Sequence, residues 1–259
     1  MTRPTRRQFL KQTVAASLAT GVVIAGTKSS GKVLGANDTI RIGVAGLHGR
    51  GSSHVGAYAG MQNVQVTYLI DPDETTFASR EKAVTSTGGN KPQLVKDIRK
   101  ALDDKELDAI SIATPNHWHS LMTIWGCQAG KDVYVEKPSS HNVFEGRKTI
   151  EAARRYNRIV QHGTQSRSSS GWAQVAEALK TEKYGKLLVS KGYCYKPRGS
   201  INFREPEAPP STLDYNLWLG PCEEQPFHRN LVHYNWHWFW PTGNGDIGNQ
   251  GVHEMDLAR

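Results

Sequence analysis

From residue 39 onward, short apolar runs alternate with longer stretches of helical periodicity. Thr39–Ala45 and Val64–Ile70 are rich in β-branched residues, and Asp108–Ala113, Asp132–Val135 and Ile159–His162 continue the series. Between them, Trp118–Ala129 and Val143–Tyr156 repeat apolar residues at helical spacing. Strands separated by helices predict right-handed βαβ units, and hence an α/β fold with a parallel sheet. The series closes near residue 164. Beyond it the pattern predicts one strand, Lys186–Tyr195, a Pro- and charge-rich loop over 196–210 at the mouth of the site, and a glycine-entered helix from Asp246 to Arg259. Three segments follow: 1–36 as an address, 37–164 as a first domain and 165–259 as the opening of a second. One strand without neighbours leaves its backbone unpaired, so the ending at Arg259 is read as that of a shortened chain.

Charge changes this picture only at the amino terminus. The chain of 259 residues has a formal charge of +8. Arg3, Arg6, Arg7, Lys11, Lys28 and Lys32 carry six of those charges, with no acid before residue 37. The rest has an ordinary balance and no basic stripe, which argues against a nucleic-acid partner. Arg6-Arg7 precede a mild apolar run, Val14–Ala25, too short to span a bilayer comfortably. This reads as a twin-arginine export signal, which predicts the export machinery as a partner, a periplasmic or otherwise exported location, and no stable membrane anchor. Cys127, Cys194 and Cys222 lack metal-ligand spacing and form no disulfide framework.

The first strand runs into Gly46-Leu47-His48-Gly49-Arg50-Gly51. Gly46 permits a tight turn, Gly51 permits close packing of helix on sheet, and the new helix turns free N–H groups toward a pyrophosphate. The middle glycine of the usual G-x-G-x-x-G is His48 here, with Gly49 one place later. The second strand ends in Asp71, 25 residues after Gly46, where a carboxylate accepts from ribose hydroxyls and repels a 2′-phosphate. A dinucleotide site that favours NAD over NADP is the expectation, and Asp71 capping a turn with Pro72 is the plainer alternative.

Further stretches carry a resemblance. Ala113-Thr114-Pro115-Asn116-His117-Trp118-His119, Val135-Glu136-Lys137-Pro138 and Gly245-Asp246-Ile247-Gly248-Asn249-Gln250-Gly251-Val252-His253-Glu254-Met255-Asp256 resemble, in order and spacing, the Gfo/Idh/MocA family, named for glucose–fructose oxidoreductase and inositol dehydrogenase. Gly163–Arg167 and Trp218–Pro221 add to the likeness, which covers residues 39–259. The resemblance implies a Rossmann domain followed by an α/β domain with a mainly antiparallel sheet, and a sugar or polyol bound between them. It implies that Lys137 sits beside the nicotinamide, and that Thr114, Pro115, Asn116, His119, Glu136 and Gln165 belong to the cofactor pocket. It leaves a homo-oligomer open.

The chemistry of these residues can be read independently. Lys137 ends a parallel strand, where open α/β sheets bind ligands, and Pro138 keeps its backbone extended. Burial beside a cationic ring lowers the pKa of a lysine, making it a proton acceptor. Asn249 and His253 are four apart on one helix face, with Asp256 three further. His253 is the second proton-handling candidate. Members of the family usually carry Asp at the position of Asn249, which here orients a hydroxyl instead of acting as a base. Asp256 either orients His253 or forms an unrelated pair. The run His233-Tyr234-Asn235-Trp236-His237-Trp238-Phe239-Trp240 either stacks on a sugar ring or fills the interdomain core. His233 and His237 have metal-ligand spacing but no nearby acidic or cysteine partner in sequence, so no metal site is expected. His117 and His119 shape the cofactor loop or touch substrate. Three functions remain in play: a nicotinamide-dependent sugar or polyol dehydrogenase, a redox-neutral NAD-dependent glycosidase of the same family, and a non-catalytic binding relative.

Overall fold

The structure is a computed structural model that describes residues 39–259. The twin-arginine segment, 1–36, lies outside the described residues.

Six strands form one sheet: β1 (Ile40–Ala45), β2 (Val64–Ile70), β3 (Gln93–Val95), β4 (Ala109–Ile112), β5 (Asp132–Glu136) and β6 (Val160–Gly163). Their order is β3-β2-β1-β4-β5-β6 and every pairing is parallel. Helices α1 (Gly49–Ala59), α2 (Phe77–Thr87), α3 (Ile98–Leu102), α4 (Asn116–Gln128) and α5 (Val143–Arg155) connect the strands. The five runs expected from sequence all pair here, and β3 joins them. With three residues, largely exposed, β3 offers too little apolar pattern to be seen in advance.

The central strands read as continuous apolar runs because helices cover both faces. On one face, Ile110, Ile112, Val133 and Val135 pack with Trp118, Met122 and Cys127 of α4. On the other, Val44, Val66 and Leu69 pack with Val55 of α1 and Val84 of α2. The strand order reverses between β1 and β4, so the loops at their carboxyl ends diverge and open a crevice.

After β6 come α6 (Ser170–Leu179), α7 (Tyr215–Leu219) and α8 (Val252–Ala258). A third cluster, Leu213, Trp218, Leu219, Phe227 and Leu231, packs beneath the loops of this part. The mainly antiparallel sheet expected here is not found among the described residues, whose one sheet is wholly parallel. The predicted strand over Lys186–Tyr195 does not form, and Leu188 and Tyr195 are more than 80% exposed. A strand needs a neighbour to satisfy its N–H and C=O groups, and no described segment pairs with this one. An isolated antiparallel bridge, Asp73 to Leu213, ties the second part to the end of β2. Among the described residues no helix is long and apolar enough to cross a membrane.

Candidate active site

A cleft of about 550 Å³ opens at the β1/β4 switch point. Its floor is the glycine loop and its roof is the segment from Leu217 to His253. Of the residues singled out from sequence, Gly46, His48, Gly49, Arg50, Asp71, Thr114, Pro115, Asn116, His119, Glu136, Lys137, Gln165, Asn249 and His253 all line it. Gly51 does not. It sits beneath the loop, where a Cβ would lie 1.6 Å from the Gly46 carbonyl oxygen. Gly46 has φ +81°, and a Cβ there would meet the Ala113 carbonyl at 2.6 Å.

Gly49 differs from both, because a Cβ on it would touch nothing in the protein. It opens α1, whose N-cap His48 makes no side-chain cap and whose first turn holds no acid. The helix thus turns uncapped N–H groups and its positive end into empty cleft, a cradle suited to an anion. Thr114 adds a buried hydroxyl without a hydrogen-bond partner in the same cleft. These features fit a dinucleotide.

Asp71 is 4% exposed and braces the loop. One carboxylate oxygen accepts from Leu47 N at 2.7 Å and the other from Asp73 N at 2.9 Å. Burial raises its pKa, against the pull of those two N–H groups. Sequence order alone did not reveal that this carboxylate anchors the turn it follows.

Glu136 is the electrostatic hub. Its Oε1 accepts from Arg50 Nε at 2.9 Å and Gln165 Nε2 at 2.6 Å, and lies 3.0 Å from His54 Nε2. Burial pushes its pKa up, but the bonds from His54, Arg50 and Gln165 prevail and hold it at about 2. His54, buried on α1, also reaches Ser111 Oγ at 2.9 Å. Sequence reasoning missed His54, because only the helix rotation and the β4 and β5 neighbours bring it to the carboxylate.

Lys137 follows Glu136 at the carboxyl end of β5. Its Nζ donates to the Asn249 carbonyl oxygen at 2.5 Å and to Asn249 Oδ1 at 3.2 Å. Burial lowers the lysine pKa, and Arg50 and Lys196 lower it further against Glu136. Asn249 comes from a π-helical turn, Ile247–Gly251, that runs into α8, so the single regular helix expected over 246–259 is broken at its start. His253 is half-buried; burial first and Lys137 second lower its pKa. The neutral ring is the favoured form there.

His119 and His117 have structural settings. His119 is 1% exposed, its ring between the Pro138 carbonyl at 2.5 Å and the Thr114 carbonyl at 2.8 Å. It fixes the two loops that carry Lys137 and Asn116. His117 lies between the Trp218 and Thr242 carbonyls, and burial takes its pKa to about 4. Asp256 pairs with Arg167 at 2.7 Å. The aromatic run does both: Trp236 and Phe239 pack on the third cluster, while His233, Tyr234, Trp236 and His237 line the cleft. The 196–210 loop reaches this roof, with Arg198 paired to Asp246 at 2.7 Å and stacked over Trp238.

Residues 40–164 match the oxidoreductase family with an NAD-binding Rossmann fold, GFO/IDH/MocA, and residues 189–259 match that family's C-terminal alpha/beta domain. The chain belongs to the Gfo/Idh/MocA oxidoreductase family. It is 28% identical over 158 residues to a glycosyl hydrolase family 109 protein of Shewanella sp. (strain ANA-3), covering 54% of this chain and 35% of that one. It is 24% identical over 187 residues to inositol 2-dehydrogenase of Salmonella typhimurium, covering 70% and 54%. The solved dehydrogenase from Chromobacterium violaceum superposes with a TM-score of 0.60 at 19% identity, covering 85% of this chain and 54% of that one. The chain therefore spans between about a third and just over half of these relatives.

Proposed function

We propose that the protein is an NAD-dependent oxidoreductase acting on a hydroxyl carbon of a sugar or polyol. The observation that carries this reading is the setting of Lys137: a half-buried amine in the dinucleotide cleft, held by both oxygens of Asn249, with His253 lining the same cleft. In its neutral form the amine still donates two hydrogen bonds to Asn249, which leaves its lone pair free. That lone pair takes the proton of a substrate hydroxyl as the C–H bond yields its hydride. Bound NAD⁺ would supply the hydride acceptor. Lys137 becomes an ammonium, and His253 passes the proton onward. The lowered pKa values of the lysine and the histidine both suit groups that hand on a proton.

Asp71 at the β2 end supports NAD over NADP, because a buried carboxylate opposes a 2′-phosphate. Tyr234 and His237 on the roof offer a stacking face and a hydrogen-bonding ring to a polyol. The inositol 2-dehydrogenase relative agrees with such a substrate. We read 37–164 as the cofactor domain, 165–259 as part of the substrate domain, and 1–36 as a twin-arginine signal directing export, to the periplasm or otherwise out of the cytoplasm. The relatives named glycosyl hydrolase family 109 favour a second reading, in which the hydride returns to the sugar after cleavage of a glycosidic bond.

The test is to incubate the protein and NAD⁺ with a panel of polyols, free sugars and aryl glycosides. Reduced nicotinamide would be followed by ultraviolet absorbance and products by chromatography. Accumulating NADH supports the dehydrogenase. Released aglycone without NADH supports the glycosidase. NAD binding with no turnover on any of the panel overturns both in favour of a binding protein.

A further inference from the structure

At the rim of the cleft, three side chains distant in sequence converge. His48 comes from the glycine loop, Asp73 from the turn after β2, and His233 from the aromatic run of the second part. His233 Nε2 lies 2.9 Å from Asp73 Oδ2, and His48 Nε2 lies 3.5 Å from the same oxygen. The two imidazoles stack with centroids 4.0 Å apart and planes at 23°, so a shared ion would turn the two ring planes apart to bring both lone pairs onto it. One ligand atom from each residue falls within a sphere where all are within 4.8 Å of one another.

Two features mark this as more than a chance ion pair. The His48 Nε2 atom is buried and has no hydrogen-bond partner. Buried unpaired ring nitrogens cost free energy unless something else engages them. Asp73, in turn, is already oriented. Its Oδ1 accepts from Thr75 N at 3.0 Å, and its side chain is 5% exposed. With Oδ1 committed to the turn, Oδ2 is the oxygen presented to both rings. Ligand carboxylates at metal centres are fixed in this way by outer partners.

We propose that His48, Asp73 and His233 form a three-ligand site for a divalent transition metal of the zinc class. Bonds of about 2.0–2.2 Å at tetrahedral angles place ligand atoms roughly 3.3 Å apart, close to the two separations seen here. Two imidazoles and one carboxylate suit zinc or cobalt better than magnesium or calcium, which prefer all-oxygen shells. His48 and His233 line the cleft, from which a water or another oxygen donor would complete a four-coordinate shell. A metal there would pin the roof to the glycine loop. The sequence offered His233 no acidic partner, and the fold supplies one from the turn after β2.

The test uses tag-free protein freed of metal with a chelator. Calorimetric titration with Zn²⁺ alone should show one equivalent per chain, and Co²⁺ should give the intense visible bands of a four- or five-coordinate ion. His233→Ala and Asp73→Asn should each weaken Zn²⁺ at least tenfold with circular dichroism unchanged, and His141→Ala should leave it intact. Should either variant misfold, anomalous diffraction from zinc-soaked wild-type crystals decides, with a peak among the three side chains expected. No stoichiometric binding, wild-type affinity in both variants, or a peak only elsewhere overturns the site. None of these readouts depends on turnover, so the result is separable from that of the dehydrogenase assay.

Discussion

The Lys137 nitrogen sits 2.5 Å from the backbone carbonyl of Asn249 and 3.2 Å from its side-chain oxygen, joining the end of β5 to the π-helical turn before α8. A carboxylate in place of that amide would pair with the ammonium. The amide instead orients the amine while leaving its charge to burial, which disfavours the protonated form.

Replacing Lys137 with Met keeps the length and apolar stem but removes the proton acceptor. Turnover should fall by about 10²–10⁴-fold, the usual weight of a positioned acid or base. NAD affinity, measured by quenching of intrinsic fluorescence, should change little. A variant that retains wild-type kcat would remove Lys137 from the chemistry.

Asn249→Asp tests the electrostatics directly. The new carboxylate favours the ammonium, so the folded-state lysine pKa rises and the neutral amine appears only at higher pH. The rising limb of kcat against pH should move toward alkali. An unmoved limb, or one displaced toward acid, contradicts the assignment.

The glycine loop separates packing from binding. Gly51→Ala forces a Cβ onto the Gly46 carbonyl at 1.6 Å and should cost about 1–3 kcal/mol or more, read as a lower thermal midpoint. Gly49→Ala meets nothing in the protein and should leave that midpoint unchanged. Its methyl group enters the anion cradle, so NAD affinity should drop roughly tenfold, equivalent to about 1.4 kcal/mol. Unaltered affinity would mean that the dinucleotide does not approach this helix end.

Glu136 predicts an acid limb of stability. Its folded pKa is lowered from 4.5 to about 2, so its contribution is present above the unfolded value and is lost as pH falls from about 4.5 to about 2. A shift of that size corresponds to at most about 3 kcal/mol. Urea unfolding at neutral pH and near pH 3 should show the wild type losing more stability than Glu136→Gln, which has no such titration. Equal losses in the two proteins would assign the acid limb to other groups.

Much of the first domain was legible because its signals are local. Short apolar, β-branched-rich runs gave five of the six strands of the sheet, and the glycine turn followed from contacts within a few residues. The site residues around β5 and the π-turn were legible by resemblance, and the cleft does bring Lys137, Asn249 and His253 together. The mainly antiparallel second sheet was also expected by resemblance, and no described strand pairs with the segment that was to begin it.

By itself the sequence determined the α/β class, the parallel pairing of the strands, the glycine turn and the carboxylate that follows β2. Tertiary structure alone decided that Asp71 braces the loop, that His54 and Gln165 converge on Glu136, and that Asp73 meets His48 and His233. The reason is physical: periodicity and turn chemistry act over a few residues, whereas a buried carboxylate takes its partners from whichever elements the sheet order lays beside it.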